Sequence, residues 1–379
     1  MQIVVAPDSF KECLSSAQVA AAIAEGIGRV YPEANTISIP IADGGEGTVA
    51  ALVAATGGRI VKTPSVDALN RPIQSFYGIL GDGKTAVVEM AAASGIELIS
   101  PEERNPLIAT TFGTGLLIKA VLDAGFTRII VGIGGSATND GGSGMAQALG
   151  FKLLDKNGKS IEFGGGSLEK LCVIDDSDVH PQLYKAEITV ACDVRNPLLG
   201  SSGATMVYGP QKGATAELLK KLEENMSHFC RKLQEKFEIN ISEVPGAGAA
   251  GGLGAGMLAF CNAKIASGFE TVSKLTNLEK HISGATMVFT GEGKIDAQSA
   301  NGKTISGVAQ IAKKYDLPVI ALAGVVAKSA KELYSQGVTA IFSIAQTPIS
   351  IEESKARAAE LLADKAEQLM LVVKKSELY

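Results

Sequence analysis

Acidic side chains of this chain recur just after runs rich in β-branched residues. Asp8 follows IVVAP (3–7), and Asp43 and Glu46 follow TISIPIA (36–42). Asp140 follows RIIVGIGG (128–135), Asp193 ends ITVACD (188–193), and Glu292 and Asp296 follow ATMVFTG (285–291). If these runs are strands of an open α/β sheet, the acids lie beyond their carboxyl ends, where such sheets bind ligands. Carboxylates there suit Mg²⁺ and a base that takes a hydroxyl proton. Any one of them could equally cap a following helix. Their repetition is what points to a metal–phosphate site. Lys11, Lys212 and Lys294 lie in loops of the same kind. They could neutralise phosphate or a substrate carboxylate, or simply face solvent.

Three glycine-rich segments match nucleotide-loop patterns. Gly132 to Ala137 fits G-x-G-x-x-A, Gly246 to Gly251 fits G-x-G-x-x-G, and Ala297 to Thr304 fits a relaxed phosphate loop with alanine for the first glycine. A chain with 43 glycines will meet such patterns by chance. Context separates them. The 128–150 segment reads strand, loop, helix, the order a phosphate cradle needs, and its loop GGSATNDGGSG adds hydroxyls, an amide and a carboxylate. A tight turn that lets a helix pack on the sheet is the alternative. The 246–251 segment lacks a clear preceding strand, which weakens a dinucleotide fold. It reads better as a loop approaching phosphate or substrate. The 297–304 segment begins too far beyond its strand for a true phosphate loop, although Lys303 could meet an anion at the next helix.

Other chemistries find less support. The three histidines, His180, His228 and His281, have no metal-ligand spacing, and the five cysteines are scattered without a Cys-x-x-Cys. Reduced thiols in a cytoplasmic protein are the expectation. Net charge is −5 with no long basic run, which argues against nucleic acid as a partner. No apolar run reaches membrane-span length, so no membrane partner is expected.

The elements that would position these residues follow from periodicity. Ser15 or Ser16 should cap a helix that buries Val19, Ala22, Ile23 and Ile27, and GTVAALVAATGG should form the next, closed by Gly57 and Gly58. RIVKTPSV, PIQSFYGIL and KTAVVEMA read as successive strands with a turn at 81–83. Strand–helix alternation then returns, and 217–237 is the longest helical pattern. The fold class expected is α/β. A Rossmann-like parallel-sheet domain from both chain ends (1–65 and 285–379) would carry an inserted α/β domain (66–284), with the active site in the cleft between them.

Several long motifs, in one order from end to end, resemble the bacterial glycerate kinases of the type I family. They are APDSFK (6–11), ADGGEGT (42–48), GIGGSATNDGG (132–142), ACDVRNPLLG (191–200), GPQKGA (209–214), PGAGAAGGLGAG (245–256) and TGEGKIDAQSANGKT (290–304). The resemblance implies phosphorylation of D-glycerate by ATP with Mg²⁺, to 2-phosphoglycerate in many members, with 3-phosphoglycerate left open. On this basis Gly134, Gly135, Ser136, Thr138, Asn139 and Gly141 are expected to hold the ATP phosphates, with Lys212 and Lys294 balancing charge. Asp193, Glu292 and Asp296 are expected to hold the metal. Asp193 is the first choice for the base, and Asp296 and Lys11 join it as catalytic candidates. Asp8, Ser9, Asp43 and Glu46 are expected around glycerate, in a monomer or homodimer. An oxidoreductase using a dinucleotide and a non-catalytic nucleotide-binding regulator, such as a glycerate sensor, remain as alternatives. The density of strand-end acids speaks against the sensor, which needs no base.

Overall fold

The computed structural model describes residues 1–11, 13–42, 44–300 and 304–376. Strands β1 (Gln2–Val5) and β2 (Asn35–Ser38) come first. The middle of the chain carries β3 (Arg59–Val66), β4 (Pro72–Ile79), β5 (Thr85–Glu89), β6 (Arg128–Gly132), β7 (Lys152–Leu154), β8 (Val173–Asp175), β9 (Glu187–Ala191) and β10 (Lys264–Ala266). The C-terminal part carries β11 (Met287–Ile295), β12 (Val319–Val326) and β13 (Ala340–Ser343).

The chain divides into two compact units. Unit 1 comprises Met1–Asp43, Ala50–Gly57 and Phe269–Tyr379, and unit 2 comprises Gly44–Val49 and Gly58–Gly268. In unit 1 the sheet order is β13-β12-β11-β1-β2, parallel throughout. The chain leaves β1 toward β2, and the C-terminal strands are added on the opposite side. The strand order therefore reverses between β1 and β11, the position at which doubly wound sheets open a crevice for ligands. The central strands β1, β11 and β12 carry runs of Ile, Val, Phe and Leu buried on both faces, as a parallel sheet covered by helices requires, while the edge strands β2 and β13 are less buried. The Ser16–Val30 helix starts in a capping box of Ser15 and Gln18. It buries Val19, Ile23, Ile27 and Val30 in one core with Ile3, Phe289, Leu322 and Leu362.

Unit 2 has the sheet order β10-β9-β6-β5-β4-β3. Its first four members are parallel, while β4 runs antiparallel to both β5 and β3. The inserted unit is thus a mixed sheet with a parallel centre.

The units begin and end elsewhere than residues 65 and 285. β3 pairs with β4 over its full length, from Arg59 opposite Ile79 to Val66 opposite Pro72, so a hairpin ties it to unit 2. Asp67 holds the connecting turn by accepting from the Leu69 and Arg71 amides, both at 2.9 Å. At the other end, Phe269 packs its ring over Gly307 of the Thr304–Lys313 helix, which draws the 269–283 segment into unit 1. No helix among the described residues is long and apolar enough to cross a membrane.

Candidate active site

The reversal between β1 and β11 positions the first group of acids. β11 extends through Ile295 rather than ending near Gly291, because β12 continues beside it, pairing Glu292 with Ala323 and Lys294 with Val325. Residues two apart on a strand share a face, so Glu292 and Lys294 project to the same side. Both line a cavity of about 540 Å³ together with Asp8, Ser9, Lys11, Asp296 and Ser299. Asp8 is held from two sides: its Oδ1 accepts from the Ser9 amide at 2.7 Å, and its Oδ2 accepts from the Thr304 hydroxyl at 2.9 Å. Asp296 forms an ion pair with Lys294 at 3.0 Å. Its backbone amide donates to Ser299 Oγ at 3.1 Å. The structure therefore brings Asp8, Ser9, Lys11, Glu292, Lys294 and Asp296 to one cavity of unit 1.

The remaining expected residues belong to unit 2, except Asp43, which lies outside the described residues, as does Lys303. Glu46 is exposed in the Gly44–Val49 segment, just before the Thr48–Thr56 helix. Asp193 follows β9, and its Oδ1 accepts from Ser267 Oγ at 2.7 Å and from the Gly268 amide at 2.9 Å, at the start of the Gly268–Leu275 helix. These two donors fix the orientation of the carboxylate. Of the expected ligand set, Asp193 belongs to unit 2 and Glu292 and Asp296 to unit 1, and no group of three His, Cys, Asp or Glu side chains among the described residues is placed to hold a metal.

The glycine loop after β6 also departs from expectation. Some of its amide donors are used inside unit 2: Gly134 donates to the Gly44 carbonyl, Ala137 to Ser94, and Gly141 to Gly251, each at 3.0 Å. Asp140, fully buried, accepts from the Gly142 and Gly144 amides at 3.1 and 3.2 Å, and from the Thr111 amide and hydroxyl at 2.8 and 2.9 Å. The anion at the start of the Ser143–Ala148 helix is thus the protein's own carboxylate. Burial pushes the Asp140 carboxyl up, while these four donors favour its charged form. Thr138, Asn139 and Gly141 are buried. Gly134 and Gly135 lie at the rim, half-buried and exposed.

Lys212 explains how this loop is held. It is 1% exposed, and its Nζ donates to Ser136 Oγ and to the Thr138 carbonyl, both at 2.6 Å. Burial lowers its ammonium to about 7, with the Asp140 charge acting in the opposite direction. Lys212 is therefore a buried brace of the loop and not a solvent-facing partner for ATP. The 246–251 segment serves the same packing. Gly251, at φ +66°, lies so close to the loop that a Cβ there would fall 1.9 Å from the Thr138 carbonyl oxygen.

One residue escaped the sequence reading. Glu89 ends β5 at 3% exposure and accepts from the Val49 amide at 3.1 Å, and from the Gly47 and Thr48 amides. Burial raises its carboxyl to about 7 against those donors, with Glu46 raising it further. The available signal was a single acid inside the apolar run KTAVVEMA.

With this geometry in view, comparison with known proteins is decisive. The model of the Glycerate kinase family matches residues 3–374. The chain belongs to the glycerate kinase family. It is 49% identical over 354 residues to Glycerate 2-kinase of Escherichia coli (strain K12), covering 93% of each chain. It is 48% identical over 374 residues to Glycerate kinase of Bacillus subtilis (strain 168), covering 99% of this chain and 98% of that one. A crystal structure from Salmonella typhimurium LT2 described as glycerate kinase 2 superposes with a TM-score of 0.89 at 44% identity, over 100% of both chains. The chain is accordingly an enzyme, a phosphotransferase with an alcohol group as acceptor. The glycerate kinase fold is the α/β class expected, and the dinucleotide oxidoreductase and the non-catalytic sensor drop out.

Proposed function

We propose that this enzyme transfers the terminal phosphate of ATP to the 2-hydroxyl of D-glycerate, giving 2-phosphoglycerate, with Mg²⁺ as cofactor. The observation that carries the reading is the unit 1 cavity at the β1/β11 reversal, where three carboxylates and the lysines Lys11, Lys294 and Lys355 share one lining. Phosphoryl transfer asks little covalent chemistry of a protein. It needs positioned phosphates, neutralised charge and an acceptor for the hydroxyl proton. The donor set fits Mg²⁺, which binds through one or two carboxylates plus substrate phosphates and needs no all-protein cage. One or two of Asp8, Glu292 and Asp296 would hold it together with the substrate phosphates. When bound, Mg²⁺ supplies positive charge to the phosphate oxygens. Lys11 and Lys294 neutralise charge from the protein side.

Asp193 is the proposed proton acceptor, because its carboxylate is fixed by Ser267 and Gly268 in one orientation. Gly134 and Gly135 at the loop rim are the members of the glycine loop retained for substrate contact. The assignment of the 2-hydroxyl is supported by the name of the Escherichia coli relative. A cytoplasmic setting is supported by five free thiols. Coupling the product to enolase without phosphoglycerate mutase tests the isomer. Signal without mutase assigns the 2-hydroxyl, and signal only with mutase assigns the 3-hydroxyl.

A further inference from the structure

The unit 1 cavity has two chemically distinct halves. One half carries Asp8, Glu292, Asp296, Lys11 and Lys294. The other is walled by Phe10, Val325, Ile344, Ile351 and Ala358. Within that apolar half, Ile351 is 68% exposed and Val325 is 53% exposed, although both are large aliphatic side chains. They stand at the margin of a concave site, the arrangement of apolar surface that a ligand covers. Val325 is at the end of β12, one strand beyond the reversal, and Ile351 begins the Ile351–Ala356 helix.

A three-carbon hydroxy acid does not match this lining. It has no flat apolar surface to lay against Val325 and Ile351, and it would fill little of about 540 Å³. A nucleoside triphosphate has both parts: an apolar aromatic base and a polyanion that needs metal and lysine. We infer that the unit 1 cavity seats the nucleotide, with the base against Val325, Ile344 and Ile351 and the phosphates toward Asp8, Lys11, Glu292, Lys294 and Asp296. This inference rests on the ATP-dependent reading above, and it moves the nucleotide from the glycine loop of unit 2 to unit 1. Asp8, Ser9 and Lys11 then serve the phosphates rather than glycerate.

The test is equilibrium binding of a fluorescent ATP analogue to the full-length enzyme without glycerate, with steady-state kinetics alongside. The variants are Val325→Asp and Ile351→Asp. Both positions are solvent-accessible, so the fold should tolerate the change, and circular dichroism checks that it does. A carboxylate in place of the apolar contact is expected to raise the Kd of the analogue and the KM of ATP at least ~10-fold. The KM of D-glycerate should stay within about twofold. Adenosine should displace the analogue from the wild type but hardly from the variants. Unchanged ATP parameters in both folded variants would overturn the assignment, as would a rise in the glycerate KM alone. The failures separate. Wild-type enzyme that binds the analogue but releases no ADP with glycerate refutes the proposed reaction and leaves the nucleotide seat standing. Active enzyme with indifferent variants refutes the seat alone.

Discussion

Glu89→Gln is expected to remove a pH dependence of stability that the wild type carries. Glu89 is buried behind the Gly47–Val49 amides, and its carboxyl is raised to about 7 from an ordinary 4.5. The sign follows from proton binding. Below pH 4.5 the side chain is protonated whether the chain is folded or not. Between 4.5 and 7 the unfolded chain gives up this proton while the folded chain retains it. Stability is therefore fully present at the acid end and is lost as pH rises through the folded value. A shift of this size corresponds to roughly 3 kcal/mol, most of it between pH 5 and pH 8. Glutamine keeps the shape and an acceptor for the Val49 amide but has no proton to lose. Urea unfolding of both proteins at pH 5, 6, 7 and 8 isolates the effect as the change with pH in the difference between them. The wild type should lose roughly 2–3 kcal/mol more than the variant across this range. Parallel curves for the two proteins would refute the buried, proton-holding carboxylate.

Other substitutions probe the site. Asp193→Asn preserves an acceptor for Ser267 and Gly268 but removes the proton acceptor, so kcat should fall about 100-fold or more while the KM of ATP stays within a few-fold. Near-normal turnover would remove Asp193 from the chemistry. Lys212→Met keeps the buried stem and deletes the donors to Ser136 and Thr138, leaving a buried carbonyl without its partner. A loss of roughly 2–4 kcal/mol by urea unfolding is expected, with activity falling alongside. Unchanged stability would show that Lys212 does not brace the loop. Gly251→Ala forces a Cβ into left-handed backbone against the Thr138 carbonyl, at a cost of about 2–5 kcal/mol. A urea midpoint equal to that of the wild type would contradict this close approach.

Much of this fold was legible because local pattern and tertiary role agreed. The Ser15 cap, the buried face of Val19, Ile23 and Ile27, and the strands at 59–66, 72–79 and 85–89 all follow from side-chain periodicity. The unit limits were less legible, because the partner of β3 is set by pairing with β4 and not by its own residues. The strand-end acids were found by type and position. Their division between units 1 and 2 depends on which strands share a sheet. The glycine loop misled for a specific reason. A sequence shows that backbone amides are sterically accessible, but not that Gly44, Ser94, Gly251 and Asp140 already accept from some of them. Lys212 has the same problem: a lysine between glycines reads as exposed, and only the fold places acceptors 2.6 Å from its Nζ.

The most direct test of the account is ADP release from MgATP by the purified enzyme, followed through pyruvate kinase and lactate dehydrogenase, with and without D-glycerate. The account predicts ADP release that depends on D-glycerate, saturates with it, and is abolished when EDTA removes Mg²⁺. Folded enzyme that releases no more ADP with D-glycerate than without it would contradict the account.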